Sequence, residues 1–359
     1  SSEMARVLYS QTSEAPSTAY QFSARGPLKN GDLGVDIMGP GGAHASLAYD
    51  ALRNSQRYHG TSMSSPSVAG LGALLVSAAK QSKVEHSPAR IRAALMNSAR
   101  VVKDVEVFAQ GAGLVQALPA WEHLKKTAKQ SEWNHFYTVT TRNNTFRSGP
   151  GLYLRGDIPV GKKEVRFDIS PKFSAAVNAP EKFDFENDLV FSATQPWVRI
   201  PGYARLGNGQ ITIRPVLDIP KSRPGQPLYA EIQGRLADSP DSGPLVRIPI
   251  TIVRGEKTDS HAGNRAEFSL ELKSGESNRR FYEVPENANF LKVRIRRDHS
   301  DPLGRSIILH TVTLVADGSY NSFNSQEYLS LESGGGKVVM IPVAGGKTTE
   351  LAFHQPFFS

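Results

Sequence analysis

The chain has 359 residues, with 42 Lys and Arg against 34 Asp and Glu, a formal charge of +8 and a pI near 9.5. That length supports two or three domains with sizeable cores, and the absence of cysteine excludes disulfides, thiolate metal sites and cysteine catalysis. The basic balance raises nucleic acid as a partner. The densest basic stretch, residues 292–297, alternates like a half-buried strand with one solvated cationic face and carries no interleaved aromatics, so no nucleic-acid partner is expected.

Residues 1–20 are polar, with Pro16 and several serines, and read as a loop or a short edge segment. Phe22-Ser23-Ala24-Arg25-Gly26-Pro27 is a turn, and residues 34–42 read as a short apolar strand closed by glycine and proline. Gly60 then gives the backbone a tight turn ahead of Thr61 and Ser62. From there to Lys80 the chain has almost no charge, which predicts a helix buried on all sides in a layered α/β domain, its backbone approachable at Ala69, Gly70, Gly72 and Ala73. Ser62 would sit at the helix N-terminus, where unpaired N–H groups and the positive dipole end suit an oxyanion. On local physics alone, Thr61-Ser62 reads equally well as a plain N-cap. Pro66 near a helix start costs little of the hydrogen-bond ladder. The longest apolar run, residues 68–79, is interrupted by glycines and too short to cross a bilayer, so no membrane partner is expected.

Residues 87–96 predict an amphipathic helix capped by Ser87, with Pro88 at its first position, Ile91, Leu95 and Met96 inward and Arg90 and Arg92 in solvent. Gly111-Ala112-Gly113 leads into a further helix through Leu124; no GxGxxG is present, so a nucleotide loop is discounted. Past Lys129, residues 136–140, 163–169, 210–214 and 245–252 alternate with period two between proline, glycine and asparagine, the composition of an all-β sandwich or jelly roll. A polar break at residues 254–265 precedes more strands, from Phe268 to Phe353. The expected domains are 1–127, 128–255 and 256–359, the last being a second β layer or a small β domain.

The histidines lack His-x-x-x-His spacing or acidic partners, so no metal and no cofactor are expected. Residues 238–243, DSPDSG, are acidic but lack the spacing of a calcium loop and read as a solvated turn. The apolar residues 353–359 suit a free tail poorly, and further sequence is expected to follow.

Gly60-Thr61-Ser62-Met63-Ser64-Ser65-Pro66 and the small, apolar helix after it closely resemble the serine motif of subtilisin-like serine peptidases. Residues 22–27 resemble that family's FSSxGP segment, with Ala24 for the second serine. Residues 34–42 look like its strand and APG turn, with Gly39 for the alanine, and residues 111–124 look like its closing segment. Residues 151–155, 243–251 and 280–286 resemble the tripeptidyl peptidase II family, a likeness that runs across essentially the whole chain.

The resemblance implies a multidomain fold: the C-terminal part of a subtilisin-like α/β domain with a parallel sheet, followed by an all-β sandwich or jelly-roll region. It also implies a cytoplasmic serine exopeptidase that releases tripeptides from oligopeptides with a free N-terminus, assembles into a large homo-oligomer and needs no cofactor. Ser62 would be the nucleophile and Thr61 would support the oxyanion. A Ser-His-Asp mechanism needs a histidine and an aspartate that the family places well over a hundred residues before the serine, and 61 residues precede Ser62 here. Neither His44 nor His59 stands in an HGTH-type context, and His59 occupies a position where the family commonly has asparagine. The catalytic His and Asp and the oxyanion asparagine are therefore expected upstream, and the chain alone is expected to be inactive. Two other readings remain open: another subtilisin-like endopeptidase with a β appendage, and a non-enzymatic assembly module with a vestigial motif.

Overall fold

The computed structural model describes residues 18–45, 56–175, 177–221, 225–258, 263–272, 275–297, 305–316 and 323–356. The readings for residues 1–17 and for the last three residues lie outside these. In the first part of the chain, β1 (Gly42–Ala45) pairs antiparallel with β2 (Gln56–His59), Gly42 opposite His59. Four helices follow: α1 (Thr61–Gln81), α2 (Pro88–Asn97), the short α3 (Val107–Gln110) and α4 (Ala117–Lys126). The Ser87 hydroxyl accepts from the Arg90 amide at 3.2 Å and Pro88 takes the first turn, the start that the sequence pattern implies. Leu75, Ala94, Leu95, Ala120 and Leu124 form the core where α1, α2 and α4 meet.

Three expectations for this region need correction. Of α1, expected to be enclosed, Leu75 and Ala79 are buried, while Leu74 is 69% exposed. The reason is architectural: α2 and α4 cover one stripe of the helix. The expected parallel sheet is represented there by a single parallel bridge, Met38 to Leu114. Second, α1 runs on through the serines of its first two turns, so by length and composition alone it is long and apolar enough to cross a membrane. Third, Arg90 is buried rather than solvated. Its guanidinium donates to Asn134 Oδ1 at 2.5 Å, to the Thr127 carbonyl at 2.6 Å and to the Gln130 carbonyl, pinning α2 to the segment after α4. Arg92 does stay exposed, in a bidentate pair with Asp36 at 2.9 Å.

The middle of the chain is almost all strand: β3 (Phe136–Thr140), β4 (Leu152–Arg155), β5 (Gly161–Glu164), β6 (Phe167–Lys172), the short helix α5 (Ala179–Phe183), β7 (Asn187–Ala193), β8 (Val198–Arg199), β9 (Tyr203–Leu206), β10 (Ile211–Ile213), β11 (Val216–Ile219), β12 (Leu228–Leu236) and β13 (Val246–Val253). A five-stranded sheet in the order β4-β13-β12-β7-β9 is mixed, because β4 runs parallel to β13 while the other pairs are antiparallel. Two three-stranded sheets, β10-β6-β3 and β5-β11-β8, share a core with it that includes Phe167, Leu189, Leu217, Ile232 and Ile250. The single strand expected at 163–169 is two strands in different sheets. Val165 and Phe167 keep the alternation, but the partner switches from β11 to β10. Pro215, which lies between those two partners and has no N–H to offer a ladder, marks the switch.

The last part comprises β14 (Glu256–Lys257), β15 (Ser277–Glu283), β16 (Phe290–Arg296), β17 (Arg305–Thr313), β18 (Asn324–Leu331), β19 (Gly336–Pro342) and β20 (Thr348–His354). Five of these form a sheet in the order β14-β15-β20-β17-β18, and β16 and β19 form a separate antiparallel ribbon. Tyr282, Leu309, Ile341, Leu351 and Phe353 make its core. Tyr153, Val253, Phe281, Val312 and Leu314 join it to the preceding strands.

The turn at residues 238–243 is not simply solvated. The carbonyls of Asp241 and Ser242 face Lys126 Nζ at 2.9 Å and His123 Nε2 at 2.8 Å, and Ser242 is buried. Gly243, at φ 89°, lets the turn close against the Asn97 side chain, which a Cβ would approach to 2.8 Å. This turn docks α4 onto the strands, and burial lowers the pKa of His123.

Candidate active site

Thr61 and Ser62 are the first two residues of α1, not its cap; Gly60 is the cap residue and contributes no side chain. Gly60 is at φ 174°, an extended conformation open to any residue, so glycine is not needed there for the turn. What the missing side chain allows is contact, since a Cβ would lie 3.3 Å from Met63 Sδ. The turn is held by its backbone: the Gly60 amide donates to Gly41 at 2.9 Å, and the Gly60 carbonyl accepts from Met63 and Ser64 at 3.1 and 3.2 Å.

The turn is also bolted to residues 38–41. Ser64 Oγ donates to the Gly39 carbonyl at 2.9 Å, and a Cβ on Gly39 would come within 2.5 Å of Val68 Cγ2. Glycine at 39, where the resembling motif has alanine, lets α1 sit directly on that segment. Behind it, Met38 exchanges backbone hydrogen bonds with Gly113 and Val115 at 2.8 and 3.0 Å. Gly111 is at φ 58°, and a Cβ there would meet the Val35 carbonyl at 2.3 Å. The G-x-G at 111–113 is therefore a site of close backbone approach.

Ser62 and Thr61 are both exposed. By helix geometry their N–H groups have no intrahelical acceptor and lie at the positive end of a 21-residue helix. Pro66 sits at the sixth helical position, deeper than a start-of-helix proline, and offers no N–H to the Ser62 carbonyl one turn back. His59 Nδ1 is 3.0 Å from Tyr20 Oη, and Tyr20 stacks on Phe22 at 4.9 Å. No described histidine hydrogen-bonds to Ser62, and the His44 side chain lies outside the described residues. An apolar groove between Ile37, Val76, Ile91 and Leu95 borders the second half of α1, about 15–20 Å along the helix from Ser62. Among the described residues, no cluster of His, Asp or Glu could hold a metal ion.

Residues 9–120 match the model of the subtilase family, and residues 136–253 match that of the first Ig-like domain of tripeptidyl-peptidase II. Tripeptidyl-peptidase 2 of Caenorhabditis elegans is 32% identical over 97% of the chain, and that of Arabidopsis thaliana is 32% identical over 94%. The crystal structure of tripeptidyl peptidase 2 superposes with a TM-score of 0.74 at 27% identity, covering 82% of this chain and 25% of that one. This chain is a homologue of tripeptidyl-peptidase 2. It spans about a quarter of the length of the curated relatives it matches.

In this tripeptidyl-peptidase 2 homologue the strands do more than follow the subtilase segment. Arg279, on β15, reaches Glu350 at 2.6 Å and Glu106, at the start of α3, at 3.3 Å; Arg25 reaches the same Glu106 at 3.0 Å. Arg25 also donates to Ser277 Oγ at 3.0 Å, and Ser277 Oγ lies 2.5 Å from His354 Nδ1. Burial opposes the charges of this cluster. Glu350 nonetheless stays below the ordinary carboxylate range because Arg279 outweighs its desolvation, whereas burial and Arg25 push His354 down to about 4. Glu106 leads into α3 and Gly111, so the cluster ties the last strands to the segment that braces the serine turn. None of these residues was singled out from the sequence as a site. One signal was available: Arg279 shares its strand face with Phe281, a cation at an inward position.

Proposed function

We propose that Ser62 is the nucleophile of a serine peptidase of the tripeptidyl-peptidase 2 kind, acting within a longer polypeptide that supplies the histidine and aspartate. The observation that carries this reading is an exposed serine on the first turn of α1, on a turn fixed by Gly41, Gly39 and Ser64, within a segment that matches the subtilase model. Ser62 Oγ attacks the scissile carbonyl and gives its proton to the histidine. The N–H groups at the helix start, with Thr61 in support, face the oxyanion. The products are a tripeptide from a free N-terminus and a shortened oligopeptide. By itself the chain, with its nucleophile unpaired, is inactive.

We further propose cytoplasmic residence, assembly into a large homo-oligomer and a division into units at 1–127, 128–255 and 256–359. These rest on the resemblance to the family and on the three separate cores. A reporter amide on a tripeptide, with the N-terminus either free or acetylated, tests the exopeptidase reading on the full-length protein. Hydrolysis of the free form alone supports it, and equal hydrolysis of both favours an endopeptidase.

A further inference from the structure

The ribbon of β16 and β19 has two unlike faces. Leu291, Val293 and Ile295 turn in toward the last core, and the alternate residues Phe290, Lys292, Arg294 and Arg296 are exposed. Across the ladder, Met340 lies opposite Lys292 and Val338 opposite Arg294, at 57% and 52% exposure. The outer face thus carries three cations about 7 Å apart in a row, with exposed apolar side chains beside them. Among the described residues no acidic group pairs with any of the three, and no strand but β19 pairs with β16, so the opposite edge of β16 is unpaired.

We propose that this edge and face bind an extended acidic segment of a partner protein, added to β16 as a third strand. Main-chain groups of the open edge supply hydrogen bonds, and the partner's side chains fall alternately on the two faces. Carboxylates at every second position then stand about 5 Å from Lys292, Arg294 and Arg296, and the residues between them extend the inward apolar face. A second copy of the chain is a poor occupant, because pairing β16 with itself sets rows of cations against each other, and like charges directly opposite are destabilising. A nucleic-acid strand would satisfy the cations but brings no amide ladder to the open edge of β16, and it would have one aromatic, Phe290, to stack on.

The test uses the intact protein and a fluorescent, end-blocked Glu-Val-Glu-Val-Glu-Val peptide, read by anisotropy. Its controls are the block isomer Glu-Glu-Glu-Val-Val-Val and a dT oligonucleotide. The alternating peptide is expected to bind at least about tenfold more tightly than the block isomer. Lys292→Glu/Arg294→Glu/Arg296→Glu should weaken it at least about tenfold, while Lys80→Glu/Lys103→Glu/Lys129→Glu, with the same change of net charge, should alter it less than about twofold. Equal binding of the two peptides, or equal losses in the two triple variants, would overturn the proposal. Tighter binding of the oligonucleotide, lost in the ribbon variant, would reassign the face to nucleic acid. All six substitutions are at exposed positions, and circular dichroism verifies that each variant is folded.

Discussion

Helix α1 and the β12–β13 pair are both strongly apolar, yet the structure treats them differently. Ile232, Ile248 and Ile250 are fully buried, because the sheet face they share packs into a core with strands drawn from the same 120 residues. On α1 the apolar side chains extend around the helix, but α2 and α4 cover a single stripe. Composition sets what a segment would gain from burial; the neighbouring layers set how much of that gain is realised. The exposed start of α1 is also where Ser62 stands, so a region this chain leaves open carries the proposed chemistry.

The largest effect that would sharpen this contrast belongs to the cluster joining the two ends of the chain. Arg279→Met leaves the buried Glu350 without its ion-pair partner, while Glu106 keeps Arg25, and should cost about 3–5 kcal/mol in urea unfolding. A loss below about 1 kcal/mol would mean that the cluster does not hold the last strands to α3. Next, Ile250→Ala should cost about 3 kcal/mol through lost burial and a cavity, while Leu74→Ala should stay within about 0.5 kcal/mol. Similar costs for both would break the comparison.

Acid should act through His354. Its pKa falls from an ordinary value of 6.5 to about 4 in the fold, so the unfolded chain takes up a proton first as pH drops. Stability should be complete above about pH 6.5 and decline toward pH 4, by up to about 3 kcal/mol, as followed by thermal unfolding across that range. His354→Asn should flatten the decline, and an unchanged slope would assign it to other groups. A smaller loss is expected of Ser87→Ala, which removes the cap of α2 and should cost about 1 kcal/mol.

Much of the strand region was legible from alternation: β3, β10, β13 and β16 lie within two residues of the expected segments. Alternation did not reveal which strands share a sheet, since the partner switch at Val165 leaves the inward and outward pattern intact. The Ser87-Pro88 start was readable because its chemistry is local. The burial of Arg90 was not, because its acceptors are the carbonyls of Thr127 and Gln130, some 40 residues away. For the serine turn, the string at 60–66 located Ser62 on the first turn of a helix. The bracing by Gly39 and Met38 depends on backbone contacts that residue type alone does not encode.

The most direct test of the central claim is labelling of the full-length protein with an organophosphonate, followed by peptide mass spectrometry. The expected result is a single covalent adduct on Ser62, formed in step with the loss of tripeptide release, and no hydrolysis by Ser62→Ala. Complete inhibition with Ser62 unmodified, or retained turnover in Ser62→Ala, would contradict it.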